Sequence, residues 1–251
     1  MIRGRKREEP REVAVTLIRH GHNKGDELLP EGWENARGKG KLLKNIVRGS
    51  PVKFYSSPAK RAMQTAFALA EAFHPMMELA SGKAPEELSS EELAKVLAKA
   101  RIRVREGLRP MDRKNTESFE RLSKELGIEG FCRKWLKGDQ QLLDAVESPE
   151  EVVSRLRKQA VEFSKRVSER FKQRANLPRI LKKPIHLVMV THGPLPEAVV
   201  EQLSGRPVSS FGYDLLSGRG KLLDNLERVT LIIKGQRVWL RFRGEEIRIK
   251  G

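Results

Sequence analysis

Two short runs, VAVTLI at 13–18 and IHLVMV at 185–190, constrain this chain more than anything else in it. Each is apolar almost throughout and rich in β-branched residues. That is the pattern of a strand buried on both faces, not of one wet on alternate positions. A sheet covered twice needs helices above and below it. VKFYS at 52–56 reads as another such strand, and helical patterns separate the three. The fold class that follows is α/β, a three-layer α/β/α sandwich with a mainly parallel sheet.

The intervening segments carry their own punctuation. Residues 34–47 pattern as a helix with Ala36, Leu42, Leu43 and Ile46 on its buried side. Ser57-Pro58 suits a helix start, Ser as cap and Pro at the first helical position. Met63, Ala66, Phe67, Ala70 and Phe73 then recur at helical spacing. Residues 74–140 are rich in Glu, Lys, Arg and Leu and show helix signals without a strong strand. They read as a helical insertion over one end of the sheet, within a single domain spanning 1–251. Ser89-Ser90-Glu91-Glu92 and Ser148-Pro149-Glu150-Glu151 fit capping boxes, and Gly127 is a helix stop. The helix after Ser148 places Val152, Leu156, Phe163 and Val167 on its apolar side. Pro194–Leu203 is a further helix, stopped near Gly205. VTLII, a turn at Lys234-Gly235-Gln236, and RVWLRF with Val238, Leu240 and Phe242 on one face read as a hairpin closing the sheet.

Composition narrows the class. The chain has 251 residues, 38% hydrophobic and 33% charged, enough for a sizeable core under a charged surface. No apolar run approaches the roughly 18 residues of a membrane span, so no membrane partner is expected. The opening MIRGRKREEPRE lacks the apolar centre of a signal peptide, which makes the cytoplasm the expected location. The lone Cys132 excludes an internal disulfide and reads as a half-buried helix thiol. Net charge is +17, from 50 Lys and Arg against 33 Asp and Glu, and attracts anions: phosphorylated metabolites, phosphoproteins or nucleic acid. Nucleic acid has no recognition motif behind it, and mixed-sign runs such as RLRKQAVEFSKRVSERFKQR suit solvated helix faces. Nothing in the sequence sets an oligomeric state; RVWLRF could be a pairing edge, or its arginines could block one.

The two buried runs end alike, in Arg19-His20-Gly21 and Thr191-His192-Gly193. Ligands of open α/β sheets bind just outside the strands' carboxyl ends. If these strands are neighbours, His20 and His192 face one pocket. Arg61, in the first turn after VKFYS, can point into it, where a helix N-terminus also favours an anion. Arg19, Arg61, two histidines and a helix start suit a doubly charged tetrahedral anion. Arginine's planar fork matches phosphate oxygens and does not deprotonate. Neutral imidazole is a competent nucleophile, and a second, protonated one can hold a phosphoryl oxygen. No phosphate-binding glycine loop and no acidic magnesium cluster is evident, so no cofactor and no metal is expected.

These residues resemble the histidine phosphatase superfamily, the phosphoglycerate-mutase-like group. The matching motifs are Arg19-His20-Gly21, Ser57-Pro58-Ala59-Lys60-Arg61-Ala62-Met63-Gln64-Thr65-Ala66 and His192-Gly193, in the family's order, across residue 13 to the end. LLPEGWENAR through Leu28, Gly32 and Ala36, and VESPEEVVSR through Glu147, Ser148 and Arg155, are similar to further family segments. The resemblance implies that His20 attacks phosphorus and becomes phosphohistidine. Arg19, Arg61 and His192 would hold the phosphoryl oxygens. A carboxylic acid would protonate the leaving oxygen and then activate water. Glu106, in RVREGL, best fits that acid, with Glu78, Glu86 and Asp112 as alternatives. The sequence departs from the family after Arg-His-Gly: His22 and Asn23 replace the usual residues, with Asn23 a candidate phosphate donor, and Asp26 stands where the family has Asn.

The expected function is a metal-independent phosphomonoester phosphatase. A phosphoglycerate-mutase-type phosphotransferase and a non-catalytic phosphate-binding regulatory module are the alternatives. A metal hydrolase is the sharper rival, because His20 and His22 mimic a His-x-His ligand pair with His192 and Asp26 as further ligands. Two arginines beside a divalent cation would repel it. His74 and His186 read as structural or exposed.

Overall fold

The computed structural model describes residues 12–74, 83–173, 183–211, 225–234 and 237–249, without the side chains of 165 and 167–173. Glu78, Val167 and the Lys234-Gly235-Gln236 turn therefore fall wholly or partly outside the described residues. In chain order the elements are β1 (Val13–Arg19), β2 (Asn23–Lys24), β3 (Glu27–Leu28), α1 (Pro30–Ile46), β4 (Val52–Ser56) and α2 (Lys60–Glu71). Next come α3 (Ser90–Lys99), β5 (Arg103–Val104), α4 (Thr116–Leu136), α5 (Gln140–Ala145) and α6 (Pro149–Gln173). The last are β6 (Ile185–Thr191), α7 (Leu195–Ser204), β7 (Arg228–Lys234), β8 (Arg237–Phe242) and β9 (Glu245–Ile249).

The main sheet runs β5-β4-β6-β1-β7-β8-β9. Its first four strands are parallel, and β7, β8 and β9 are antiparallel. β1 and β6 are neighbours, with Arg19 opposite Thr191, so the two His-Gly ends emerge side by side. Strand alternation divides the core into two. Val13, Val15 and Leu17 of β1, with Leu187 and Met189 of β6, face α4–α7. Ile18, Val188 and Val190 face α1, α2 and α3. The helices of the 74–140 segment are thus shared between the faces: α3 packs on α2, and α4 and α5 join α6. No helix among the described residues is long and apolar enough to cross a membrane.

Local chemistry explains most boundaries. Ser89 accepts from the Glu92 amide while Glu92 reaches back to the Ser89 amide, and Ser148 and Glu151 do the same before α6. Gly127 takes a left-handed φ of 64° and breaks α4 into two abutting helices. Gly205, at φ 66°, ends α7.

Four readings of the sequence need correction. Leu42 and Ile46 are 59% and 61% exposed. The helix begins at Pro30, and its buried stripe is Gly32, Trp33, Ala36, Gly40 and Leu43. Gly40 lets the backbones of α1 and α2 touch: a Cβ there would stand 2.4 Å from the Leu69 carbonyl. Second, α2 begins at Lys60, so Ser57 is not its cap and Pro58 not its first residue. Third, RVWLRF is paired on both sides, because β9, a charged strand with only Ile247 and Ile249 apolar, follows the tight turn at Arg243-Gly244. Fourth, Cys132 is buried, not half-buried, and burial pushes its thiol up to about 12.

Gly40→Ala should cost about 1–2 kcal/mol, since overpacking outweighs the helix propensity gained. A lowered urea midpoint with an unchanged slope is the expected reading.

Candidate active site

The pocket at the carboxyl ends of β1, β4 and β6 is organised around one guanidinium. Arg61 sits in the first turn of α2, so its side chain leans back over the strand ends. Its Nε donates to His20 Nε2 at 3.2 Å, one terminal nitrogen donates to His192 Nδ1 at 3.3 Å, and the other to Asp26 Oδ1 at 2.8 Å.

These contacts fix both imidazole tautomers, because a guanidinium only donates. His20 receives at Nε2, so its proton is on Nδ1, which donates to the Gly21 carbonyl at 2.9 Å. His192 receives at Nδ1, so its Nε2–H donates to Ser57 Oγ at 2.7 Å. The rings meet edge-on with centroids 5.2 Å apart. Burial is the main cause that pushes His20 down to about 4; the Gly21 carbonyl opposes it, and the Arg61 and Arg19 guanidiniums add to it. His192 lies well below its ordinary value, first from burial and then from Arg61 and the neighbouring histidine. Both rings are therefore neutral near pH 7. The second histidine, expected from the sequence to be protonated, is thus neutral in this geometry.

Neighbouring side chains hold the frame. Thr65 Oγ1 accepts the Gly21 amide at 3.1 Å, and Gln64 Oε1 accepts the Leu28 amide at 2.8 Å. The polar residues after Arg61 thus clamp the loop that carries His20. Gly32 permits a second close approach: a Cβ there would stand 2.2 Å from the His22 carbonyl. Arg19 packs against Gly193, where a Cβ would meet its Nε at 2.9 Å.

The other sequence candidates fall in different places. Asn23 donates to the Gly25 carbonyl at 2.7 Å, so its amide stabilises the β2–β3 turn. His22 lies outside the pocket with Nδ1 2.9 Å from the Glu31 carboxylate, so the His-x-His pair does not converge. Among the described residues no three His, Cys, Asp or Glu side chains gather as a metal site. His74 is exposed, and His186 lies half-buried on β6. Glu86 faces Arg37, and Asp112 pairs with Arg109. Glu106 is exposed on a 3₁₀ turn, Glu106–Leu108, between two ties to β4 and β6. The Arg105 amide donates to the Ser56 carbonyl, and Thr191 Oγ1 donates to the Leu108 carbonyl. Part-buried Arg155 holds the same loop: it grips Glu147 with two nitrogens, at 2.9 and 2.6 Å, and donates to the Gly107 and Arg109 carbonyls.

Two roles were not visible in the sequence. Ser57 orients His192 instead of capping a helix. Asp26 caps α2 from another loop: its Oδ2 accepts the Lys60 amide at 3.1 Å while Oδ1 binds Arg61. A carboxylate thus occupies the helix N-terminus and one fork of the arginine, the position that suits an anion.

Solved structures of known proteins share this architecture. A phosphoglycerate mutase from Bacillus anthracis str. Sterne superposes with a TM-score of 0.53 at 16% identity, over 97% of this chain and 93% of that one. A protein named mycobacterial hydrolase 2 gives 0.55 at 19% identity, over 96% and 93%. No family model matches the sequence, and no curated protein matches it significantly. The chain has the fold of the phosphoglycerate-mutase-like histidine phosphatases.

The His20 ring should titrate near 4 in an NMR pH series and not near 6.5, staying neutral through pH 5–7 and charging only as pH falls through about 4. Asp26→Asn should tighten orthophosphate binding, by roughly twofold to fivefold for a half-exposed ion pair, as read by calorimetry.

Proposed function

We propose that this protein is a phosphatase that cleaves phosphomonoesters through a phosphohistidine at His20. The observation that carries the reading is the state of that ring. It is neutral, its Nδ1 proton is committed to the Gly21 carbonyl, and its Nε2 lone pair faces the Arg61 guanidinium.

A phosphoryl group entering the pocket would displace Asp26 from Arg61 and the α2 amide. Its oxygens would take Arg61, Arg19 and His192 as partners, and its dianion would favour the protonated form of His192. As a phosphoryl oxygen takes over the Arg61 Nε–H, the His20 Nε2 lone pair is released and bonds to phosphorus while the ester P–O bond breaks, and the Gly21 carbonyl supports the positive ring that results. Glu106 protonates the leaving oxygen, then takes a proton from the water that attacks phosphohistidine and releases phosphate. The ties of its loop to Ser56 and Thr191 support Glu106 in this role. The Arg61 and Arg19 guanidiniums, which add to the effect of burial on His20, also oppose a divalent cation, so the arginines carry the charge stabilisation. The substrate is a phosphorylated anion, a small metabolite or a phosphoprotein.

An aryl phosphate and an alkyl phosphate, each with and without a bisphosphate primer, test this. His20→Ala should abolish turnover and the acid-labile phosphoenzyme, while His22→Ala leaves both measurable. Glu106→Gln should slow alkyl ester cleavage by about 10²–10⁴ and aryl ester cleavage far less, because phenolate leaves without a proton. Total loss in both histidine variants would point back to a metal pair. Phosphoryl return only with primer would mark a mutase. No turnover and no phosphoenzyme would leave an anion-binding module.

A further inference from the structure

The residue before His192 makes contacts in two directions. Thr191 ends β6, is fully buried, and lies opposite Arg19 of β1. Its carbonyl accepts the His20 amide at 3.0 Å. Its side chain is in phase with Leu187 and Met189, on the sheet face covered by α4–α7. There its hydroxyl donates to the Leu108 carbonyl at 2.9 Å. One residue thus bonds to the backbone of His20 on one side and to the turn that bears Glu106 on the other.

That turn is held from two elements. Its own closures are the Leu108 amide on the Arg105 carbonyl, at 3.0 Å, and the Arg109 amide on the Glu106 carbonyl, at 2.9 Å. The next three carbonyls are taken by side chains. Arg155 of α6 donates to those of Gly107 and Arg109, at 2.9 and 3.1 Å, and Thr191 to that of Leu108 between them. Arg155 refers the turn to a covering helix. Thr191 refers it to the strands that carry both histidines. Valine has nearly the shape of threonine and would fill the same buried space, but it could not donate, and the Leu108 carbonyl would lose this partner.

We infer that Thr191 is a positioning residue for the general acid: its carbonyl and hydroxyl together fix the span between His20 and Glu106. The inference rests on the phosphatase reading of those two residues. In-line transfer puts the leaving oxygen across phosphorus from the attacking nitrogen. The acid must therefore stand at one distance from the nucleophile, and an error of about 1 Å can cost as much as about 10²-fold in rate. Thr191 does not touch the phosphoryl group in this role. Loss of its hydroxyl bears on the steps that need a proton from Glu106 and spares the attack of His20 on an ester whose leaving group needs none.

Thr191→Val and Thr191→Ser in the full chain test this, with single-turnover release of alcohol from an alkyl phosphate and of phenol from an aryl phosphate. Thr191→Val should slow alcohol release about tenfold and phenol release less than roughly twofold. Thr191→Ser keeps the hydroxyl and should restore alcohol release to within about threefold of the parent. Hydrogen exchange at the Leu108 and Arg109 amides should quicken in Thr191→Val and not in Thr191→Ser. Circular dichroism should show both variants folded. Equal slowing with the two esters, no slowing with either, a serine variant as slow as the valine one, or unchanged exchange in Thr191→Val would each overturn the proposal. So would loss of the fold in Thr191→Val alone, which marks a purely structural hydroxyl. Failure of the phosphatase reading looks different: the parent protein itself would release neither alcohol nor phenol, and the role of Thr191 would fall with it.

Discussion

The pocket depends on one side chain that spends its donors in three directions. Arg61 touches His20, His192 and Asp26, three residues from three segments of the chain. Because a guanidinium cannot accept, each contact dictates where a proton is not. The histidine tautomers and the carboxylate parked at the helix start both follow, and Arg61 adds to the burial that depresses His20. Without Arg61 either ring could rotate or switch tautomer, and the loop bearing Asp26 would lose its tie to the pocket.

That arrangement is affordable only because the surroundings are stiff. Thr65 and Gln64, from the same helix as Arg61, hold the loop that follows His20 at two points, so the arginine and the histidine it addresses move as one body. The part-buried Arg155–Glu147 pair holds the backbone just after Glu106. Such a pair adds little net stability over an apolar one but strongly resists losing either partner, which suits a fixed loop. Asp26 has the opposite character. It satisfies the helix amide and the arginine, yet it is exposed enough to yield to a better-charged ligand.

Much of this was legible in the sequence wherever the signal is local. The doubly buried strands, the capping boxes at Ser89 and Ser148, and the glycine stops at 127 and 205 are written in a few consecutive residues each. The convergence of Arg19, His20, Arg61 and His192 could be read because strand ends and a helix start place them without tertiary detail. What could not be read depends on partners distant in sequence. Leu42 and Ile46 look buried by periodicity, but close contact through Gly40 rotates the buried face of α1 away from them. Ser57 looks like a cap until His192, 135 residues later, takes its hydroxyl. Asp26 completes a helix to which it does not belong. β9 has too few apolar residues to announce a strand and exists because β8 offers it an edge.

The pairing of β1 with β6 has one more consequence. Arg19 lies opposite Thr191, so His20 and His192 leave the sheet from equivalent positions on adjacent parallel strands. The separation of the two backbones that carry the rings is set by the interstrand repeat, a narrowly constrained length. Loops and covering helices can vary in sequence and size without altering that gauge. A register slip of one residue would send the two histidines to opposite faces, so the buried apolar alternation that fixes the register also guards the chemistry.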